Sequence, residues 1–305
     1  MKDILVGCTG FVGSNLRTAH RFSACYHSTD VADAFGSRPD MLVYAGVRSE
    51  MFLANQDPDA DLALIREAEE NIEQIAPEFV VLISTVAIYP QPKLADENTE
   101  PDCGSLTAYG KNRYLLEQWV ASHYPSLIVR LPAIYGKNLK KNFLYDYIHY
   151  IPALLKSDKY HELLQKEPRL SQYYRDVNNG YYRCRDLTQE ETLLLKGIFE
   201  RLGFSALHFT DSRSKYQFYP LSRLWDDISL ALAHHAERIN LVTPPVSVSE
   251  LHRALSGKPF ENILEKPPFD YDIRTCHDSL FGRSDGYIMS VEEETDAIRK
   301  FVAES

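Results

Sequence analysis

The stretch Ile4-Leu5-Val6-Gly7-Cys8-Thr9-Gly10-Phe11-Val12-Gly13 is a short apolar run that leads into three glycines, each three residues after the last. The apolar run predicts a buried strand, and the residues after Gly10 predict the start of a helix. In such a turn one glycine makes the tight bend, one lets the backbone approach a pyrophosphate, and one lets the helix pack closely. The N-terminus of that helix offers unpaired N–H groups to phosphates. The stretch therefore predicts a dinucleotide site in the first β-α unit.

The strand and helix rhythm continues to about residue 135. Short apolar runs predict strands at 4–6, 23–26, 41–44, 80–84 and 127–131, with amphipathic helices at 60–75 and 109–123. Further along, strands are predicted at 207–209 and 239–242, and helices at 225–234, 247–255 and 291–302. This pattern predicts an α/β protein with a Rossmann-type, doubly wound parallel sheet and a smaller C-terminal substrate-binding lobe. The core would comprise residues 1–140, rejoined by about 206–242, and the lobe would comprise 141–205 and 243–305.

The composition excludes several classes of protein. A net charge of −10 over 305 residues argues against a nucleic-acid partner, since such proteins usually carry a basic face. The five cysteines are odd in number and widely spaced, which is typical of a reduced cytosolic protein and predicts no metal site. No apolar run approaches the roughly 20 residues that span a bilayer, and a strand begins too early for a signal peptide. We therefore expect a cytoplasmic protein without a membrane partner.

Three further segments carry chemistry-bearing residues in a recognisable order. They are Val80-Val81-Leu82-Ile83-Ser84-Thr85-Val86-Ala87-Ile88-Tyr89, then Tyr109-Gly110-Lys111-Asn112-Arg113, then Arg130-Leu131-Pro132-Ala133-Ile134-Tyr135-Gly136. With the glycine turn, they resemble the extended short-chain dehydrogenase/reductase family, which includes nucleotide-sugar epimerases, dehydratases and reductases. The resemblance covers roughly residues 1–136 and persists faintly through 217–232. It implies an NAD(P)-dependent oxidoreductase or epimerase for a sugar-like substrate, such as a nucleotide sugar, and a homodimer.

The resemblance also assigns the catalytic residues. Thr85 matches the strand-end hydroxyl that orients the substrate oxygen, and Tyr109 matches the acid/base that exchanges a proton with the substrate. A phenol needs a neighbouring cation to form the phenolate near neutral pH. The family places a Lys four residues after the Tyr, on the same helix face, where this chain has Arg113. Arg keeps the charge and can fork onto the nicotinamide ribose, although it differs from Lys in shape and reach.

The remaining site residues follow from the same resemblance. The predicted cofactor-binding residues are Gly7, Thr9, Gly10, Phe11, Val12, Gly13, His27, Ser28, Ala45, Gly46, Tyr109, Arg113, Leu131, Pro132 and Ile134. The predicted substrate-binding residues are Arg48, Ser84 and Arg213. The second strand ends in His27-Ser28-Thr29 with Asp30 beyond it, so a 2′-phosphate or a free ribose could be held there. NADP is slightly favoured, and NAD stays open.

The sequence disfavours one of the family's reactions, and it leaves open one other class of protein. Sugar 4,6-dehydratases of the family follow the strand-end Thr with Asp and Glu, whereas this chain has Val86 and Ala87, so dehydration lacks an acid and a base. Reduction and epimerisation both stay open. The competing class is a catalytically inactive NAD(P)-binding regulatory or scaffold protein, because the Lys position is occupied by Arg113.

Overall fold

The computed structural model describes residues 2–305. The strands of this range are β1 (Asp3–Val6), β2 (Ala24–Tyr26), β3 (Met41–Tyr44), β4 (Val80–Thr85), β5 (Ser126–Leu131), β6 (Ala133–Tyr135), β7 (Leu154–Lys156), β8 (Tyr174–Asp176), β9 (Tyr181–Cys184), β10 (Lys215–Tyr216), β11 (Phe218–Pro220), β12 (Arg238–Asn240) and β13 (Val246–Ser247). Its α-helices are α1 (Phe11–Ala19), α2 (Met51–Gln56), α3 (Pro58–Ile75), α4 (Ala108–His123), α5 (Phe143–His149), α6 (Ser157–Lys166), α7 (Gln189–Leu202), α8 (Leu224–Ala233), α9 (Val248–Ser256) and α10 (Val291–Ala303).

A six-stranded parallel sheet is built from five strands of the N-terminal half and the later strand β12, in the order β12-β5-β4-β3-β1-β2. From β1 the chain first adds β2 on one side and then crosses to add β3 on the other. The direction of winding therefore reverses between β1 and β3. In open α/β sheets, ligands bind outside the carboxyl ends of the strands at such a switch point. The predicted doubly wound parallel sheet is confirmed.

Helices cover both faces of this sheet, as its continuous apolar strands require. On one face, α1 and α8 pack through Leu16 and Ile228 against side chains such as Leu5 and Val129. On the other face, α3 and α4 cover the sheet with the apolar residues Ile65, Ile72, Leu116 and Val120. In residues 2–305 no helix is long and apolar enough to cross a membrane.

The chain divides into two compact units. Unit 1 comprises 1–139, 215–247 and 269–301, and unit 2 comprises 140–214, 248–268 and 302–305. These bounds differ from the predicted ones. Residues 206–214 belong to unit 2 rather than to the sheet, and residues 243–247 and 269–301 belong to unit 1 rather than to the smaller lobe.

Buried polar side chains explain why 269–301 joins unit 1. Glu97, which is 5% exposed, accepts hydrogen bonds from the Thr275 hydroxyl (2.6 Å), the Cys276 N–H (2.8 Å) and the Asn240 N–H (2.6 Å). Glu97, Cys276 and His277 are also the residues that bring potential metal-ligand atoms together within the described range. Because three hydrogen bonds already use its carboxylate, Glu97 acts here as an anchor for the returning chain.

Unit 2 contains a small antiparallel sheet, β7-β9-β8, with its own apolar core. Tyr173 and Tyr174 are 5% and 2% exposed and belong to this core. The strand predicted at 207–209 is wrong, because Ala206–Phe209 forms a 3-10 helix. Ser205 and His208 satisfy each other's hydrogen-bonding groups across that turn, which favours a helical start over an extended strand.

One buried carboxyl in unit 1 lacks a complete set of partners. Glu294 on α10 is 1% exposed, and its Oε1 accepts hydrogen bonds from the Phe218 N–H (3.1 Å) and the Thr243 hydroxyl (3.0 Å). Its Oε2 has no hydrogen-bond partner, and neither does the buried hydroxyl of Tyr135. Burial raises the pKa of Glu294 to about 8, partly offset by its two hydrogen bonds. The group is therefore largely protonated at neutral pH.

Replacing Glu294 with Gln should remove a pH dependence of stability. Because the folded-state pKa is raised, the stability that Glu294 contributes is full below its unfolded value near 4.5 and is lost as pH rises to about 8. Relative to Glu294→Gln, the wild type should lose on the order of 3 kcal/mol of unfolding free energy across that window. Urea unfolding at pH 5 and pH 8.5 measures the difference.

The matched control is Glu292→Gln, an exposed carboxyl in the first turn of the same helix. The unfolding free energy of Glu292→Gln should match that of the wild type at both pH values. Parallel pH curves for the wild type and Glu294→Gln would contradict the assignment of a neutral buried acid.

Candidate active site

The glycine turn brings backbone against backbone at the switch point. Gly7 has φ +91°, and a Cβ there would lie 2.3 Å from the carbonyl oxygen of Ala45 just after β3. A Cβ on Gly13 would lie 2.2 Å from the carbonyl oxygen of Gly7. The first glycine therefore makes the bend and lets β3 come close, and the third lets α1 pack onto the turn. At Gly10 an added Cβ would lie 3.2 Å from the Gly7 carbonyl oxygen, a tight contact that is less severe than the other two.

The N-terminus of α1 has the properties of an anion site. Gly10 is its N-cap residue, no side chain caps the helix, and its first turn contains no acidic residue. Thr9 and Gly10 are exposed. The helix dipole and uncapped N–H groups favour a negative group here, so the turn fits the pyrophosphate of a dinucleotide.

The end of β2 is closed by a small polar cluster. The Asp30 carboxylate accepts a hydrogen bond from the His27 N–H (2.6 Å) and lies 3.0 Å from His27 Nε2. The Thr29 hydroxyl lies 2.8 Å from His27 Nδ1. Asp30 is thus turned back onto His27, and Ser28 borders the neighbouring cavity.

That cavity of about 90 Å³ lies beside the switch point. Apolar side chains from β1, the segment after β3 and α3 form much of its wall: Val6, Val47, Leu64 and Ala68. Ser28, Arg48 and Asn71 add polar groups. Polar and apolar atoms contribute about equally to the wall of this small cleft, which suits one edge of a nucleotide base.

Helix α4 is held very close to the end of β4. A Cβ on Gly110 would lie 2.3 Å from the carbonyl oxygen of Ala87, in the 3-10 turn that directly follows Thr85. The Tyr109 N–H donates to the Asn55 side chain (3.0 Å), and Thr107 caps the helix through the Gly110 N–H (3.3 Å). The glycine therefore sets the spacing between Thr85 and Tyr109.

Thr85, Tyr109 and Arg113 come together as predicted. The Arg113 guanidinium carbon lies 4.2 Å from the centre of the Tyr109 ring, and Tyr109 is 6% exposed. The Thr85 hydroxyl accepts a hydrogen bond from the Ala87 N–H (3.1 Å). Burial raises the pKa of Tyr109, while the Arg113 charge and a hydrogen bond with Thr85 lower it and the Asp61 charge raises it. The net direction is upward, whereas the sequence argument expected the cation to favour the phenolate.

Arg113 is itself enclosed by partners that the sequence analysis missed. Its Nη1 donates to Asp61 Oδ2 (2.5 Å), and its Nη2 donates to the Arg48 carbonyl oxygen (2.5 Å). Asp61 is 5% exposed and also accepts from the Asn112 amide (2.9 Å). In the sequence, Asp61 falls in line with Ile65 and the rest of the buried stripe of α3, and this is the signal that could have revealed it.

Ser84 does not join this group. Successive strand residues point to opposite faces, so Ser84 and Thr85 diverge. The Ser84 hydroxyl donates to Glu117 (2.5 Å), whose carboxylate is bound bidentately by buried Arg130. The Ser84 hydroxyl is therefore bonded to α4 rather than grouped with Thr85 and Tyr109, and its role in substrate binding stays a prediction.

The other predicted ligand residues differ in availability. Arg213 lies in unit 2, where its guanidinium forms a two-pronged ion pair with Asp211 (2.9 and 2.7 Å), so its fork is already used within the same turn. Arg48 is exposed and borders the cavity. Strand β3 is followed directly by Ala45 and Gly46. Strand β5 ends at Leu131, and the chain continues with Pro132 and with Ile134 in β6. These segments lie at the carboxyl edge of the sheet.

Comparison with known proteins points to one fold. No protein-family model and no curated protein matches this sequence. A dTDP-4-dehydrorhamnose reductase from Bacillus anthracis, solved with NADP, is similar over 100% of this chain and 99% of its own, with TM-score 0.64 and 15% identity. A UDP-galactose 4-epimerase is similar over 99% and 97%, with TM-score 0.58 and 14% identity.

A third similar structure is a UDP-glucuronic acid 4-epimerase from Bacillus cereus in complex with NAD and a UDP-sugar derivative. It matches 100% of this chain and 99% of its own, with TM-score 0.60 and 14% identity. This chain has the fold of the extended short-chain dehydrogenases/reductases. The resemblance first seen in four motifs is thus confirmed as a likeness of fold along the whole chain.

The close contact at Gly110 predicts that a methyl group added at this position lowers the stability of the fold. Gly110→Ala should lower the unfolding free energy by about 1 to 3 kcal/mol, because its Cβ collides with a backbone oxygen that cannot rotate away. Urea unfolding measures this loss.

Gly197→Ala on α7 is the matched control, since the nearest atom to its Cβ is an Arg201 side-chain nitrogen at 3.7 Å. That variant should gain about 0.5 to 1 kcal/mol from the higher helix propensity of Ala. Equal gains in the two variants would show that α4 does not depend on the Gly110 contact.

Proposed function

We propose that this protein is an NAD(P)-dependent oxidoreductase or epimerase that acts on a nucleotide sugar through Tyr109. The observation that carries the proposal is the group formed by Thr85, Tyr109 and Arg113 at the same sheet edge as the glycine turn. The shared fold with epimerases and reductases supports it. A homodimer and a cytoplasmic location stay predictions from the sequence.

The chain has groups suited to each part of a dinucleotide. The N-terminus of α1 would receive the pyrophosphate, and the cavity bordered by Val6 and Val47 would receive the base. Strands β1 and β4 are separated by β3 alone, which corresponds to about 10 Å across the sheet. A dinucleotide held at the turn would thus extend its nicotinamide toward Thr85 and Tyr109.

The residues of the chain have separable tasks around the reacting oxygen. The bound nicotinamide supplies hydride exchange with a substrate carbon. The Tyr109 hydroxyl would hold and transfer the proton of the substrate oxygen. The Thr85 oxygen already accepts from the Ala87 N–H, so its own O–H is directed to an acceptor such as the Tyr109 or substrate oxygen. Neighbouring Val86 and Ala87 offer no acid or base for dehydration.

We propose that the cofactor is NADP in preference to NAD. In NAD-specific sites an acidic residue after the second strand bonds the ribose 2′-hydroxyl. Here Asp30 is engaged by the backbone and ring of His27 (2.6 and 3.0 Å). The Ser28 hydroxyl is exposed beside this cluster, and a 2′-phosphate would compete with Asp30 for the half-exposed His27 ring.

Calorimetric titration tests cofactor binding and its selectivity. NADPH and NADH should both bind the purified protein, with NADPH tighter, and His27→Asn should weaken NADPH about tenfold while leaving NADH unchanged. His161→Asn, an exposed histidine of unit 2, is the matched control. Absence of binding at millimolar dinucleotide would refute the proposed function.

Replacement of the phenol separates an enzyme from a binding protein. Tyr109→Phe should reduce turnover of a nucleotide keto-sugar at least about 100-fold, since the proton donor is lost, while dinucleotide affinity stays within twofold. Tyr124→Phe, just after α4, is the control and should keep wild-type turnover.

The competing function is a catalytically inactive NAD(P)-binding regulator. It is favoured by one observation, namely that the Arg113 donors are engaged by Asp61 and by the Arg48 carbonyl rather than left for a ribose. Dinucleotide binding without turnover of any keto- or hydroxy-sugar nucleotide by the wild type would support this alternative.

A further inference from the structure

At the position where the resembling family has Lys, this chain has Arg113, and the surrounding groups fit its guanidinium. Arg113 Nη1 donates to Asp61 Oδ2 (2.5 Å) and Nη2 donates to the Arg48 carbonyl oxygen (2.5 Å), so two elements receive the two ends of its fork. A lysine ammonium is a compact charge and cannot bridge two such acceptors in one plane. Asp61 and the Arg48 carbonyl therefore form a receptor that is specific for Arg.

This receptor fixes where the cation lies. The guanidinium carbon is 4.2 Å from the centre of the Tyr109 ring, so the charge lies over the ring face. Arg113 and Asp61 are each 5% exposed, and a buried pair of this kind is held tightly because either partner alone would be an uncompensated charge. Asp61 also receives the Asn112 amide, which ties α3 to α4 at this point.

From this geometry we infer that Asp61 is a positioning residue, one that holds Arg113 across Tyr109 and opposes its charge, so that Tyr109 acts as a proton donor in carbonyl reduction. This inference rests on the proposed function and decides between its two reactions. An epimerase must first remove a proton from a substrate hydroxyl, which calls for a phenolate, whereas a reductase starts from the neutral phenol.

The charged groups that act on the Tyr109 phenol are Arg113, on its own helix, and Asp61, on α3. Thr85 on β4 contributes a neutral hydrogen bond, and Asn55 on α2 bonds only the Tyr109 N–H. With burial as the largest influence and Asp61 opposing Arg113, the pKa of Tyr109 lies above its ordinary value. The phenol is therefore protonated throughout the neutral range.

The proposed reduction transfers a hydride and a proton to the carbonyl group of the substrate. The carbonyl carbon of the substrate accepts a hydride from the reduced nicotinamide dinucleotide, which is thereby oxidised. The Tyr109 O–H bond breaks, and its proton goes to the carbonyl oxygen, so that the C=O group becomes an alcohol. The phenolate then regains a proton from solvent.

The test is a spectroscopic titration of Tyr109, which needs neither cofactor nor substrate. Tyrosinate absorbance is followed from pH 7 upward in the wild type and in Asp61→Asn, each measured against the same protein carrying Tyr109→Phe. Removing the carboxylate charge should lower the midpoint of the Tyr109 titration by about one pH unit or more, because Arg113 is then unopposed. An unchanged midpoint in Asp61→Asn would overturn the inference.

Two further variants show whether a change in the Tyr109 midpoint comes from the Asp61 charge or from a general loss of structure. Asp227→Asn removes another buried carboxylate charge, one that binds Arg223 (3.1 Å) and Tyr219 (2.7 Å), and should leave the Tyr109 midpoint unchanged. The double variant Asp61→Asn/Arg113→Gln removes both charges and should raise the midpoint to the wild-type value or above it, because the lowering effect of Arg113 is then lost as well. A midpoint that stays low in the double variant would also overturn the inference.

A second readout concerns the reaction itself. Reduction of a nucleotide keto-sugar by the wild type should persist to higher pH than reduction by Asp61→Asn, with the same shift as the titration. Interconversion of epimers by the wild type without net oxidation of the dinucleotide would contradict the assignment as a reductase. Failure of dinucleotide binding would instead count against the proposed function and leave the titration result standing.

Discussion

The candidate site depends on places where backbone approaches backbone too closely for a side chain. Gly7 against Ala45 and Gly13 against Gly7 bring β1, β3 and α1 together at the switch point, and Gly110 against Ala87 brings α4 onto the end of β4. A single methyl group would prevent each contact, because an added Cβ would lie 2.2 to 2.3 Å from a carbonyl oxygen. The separation of Thr85 from Tyr109 and the opening at the N-terminus of α1 follow from these contacts.

Two pairs of buried opposite charges flank this backbone arrangement. Glu117 and Arg130 join α4 to β5 behind the site, and Arg130 extends the network to the Tyr89 hydroxyl (2.7 Å). Asp61 and Arg113 join α3 to α4 beside it. Desolvation of a single charge costs several kcal/mol, so such pairs enforce one register between helices. One pair supports the fold, and the other also contributes to the electrostatics of the phenol, next to its burial.

The likeness to solved epimerases and reductases spans the whole chain at 14–15% identity, so it describes the fold rather than the reaction. The reaction has to be argued from the site. Arg113 stands where the resembling family has Lys, and Asp61 and the Arg48 carbonyl accommodate its guanidinium geometrically. The Asp61 carboxylate also opposes the positive field that Arg113 exerts on Tyr109.

The sequence by itself determined the parts of this protein that depend on near neighbours. The strands of the central sheet, the helices α3, α4, α8, α9 and α10, the glycine turn, and the one-turn spacing of Tyr109 and Arg113 were all predicted, because periodicity and helix geometry act within a few residues. Only the tertiary structure decided which polar groups meet across long separations. Asp61 reaches Arg113 over 52 residues and Glu97 reaches Thr275 over 178, and the direction of Ser84 depends on Glu117. Such contacts follow from packing, in which burial forces each charge to find whichever partner the fold brings near.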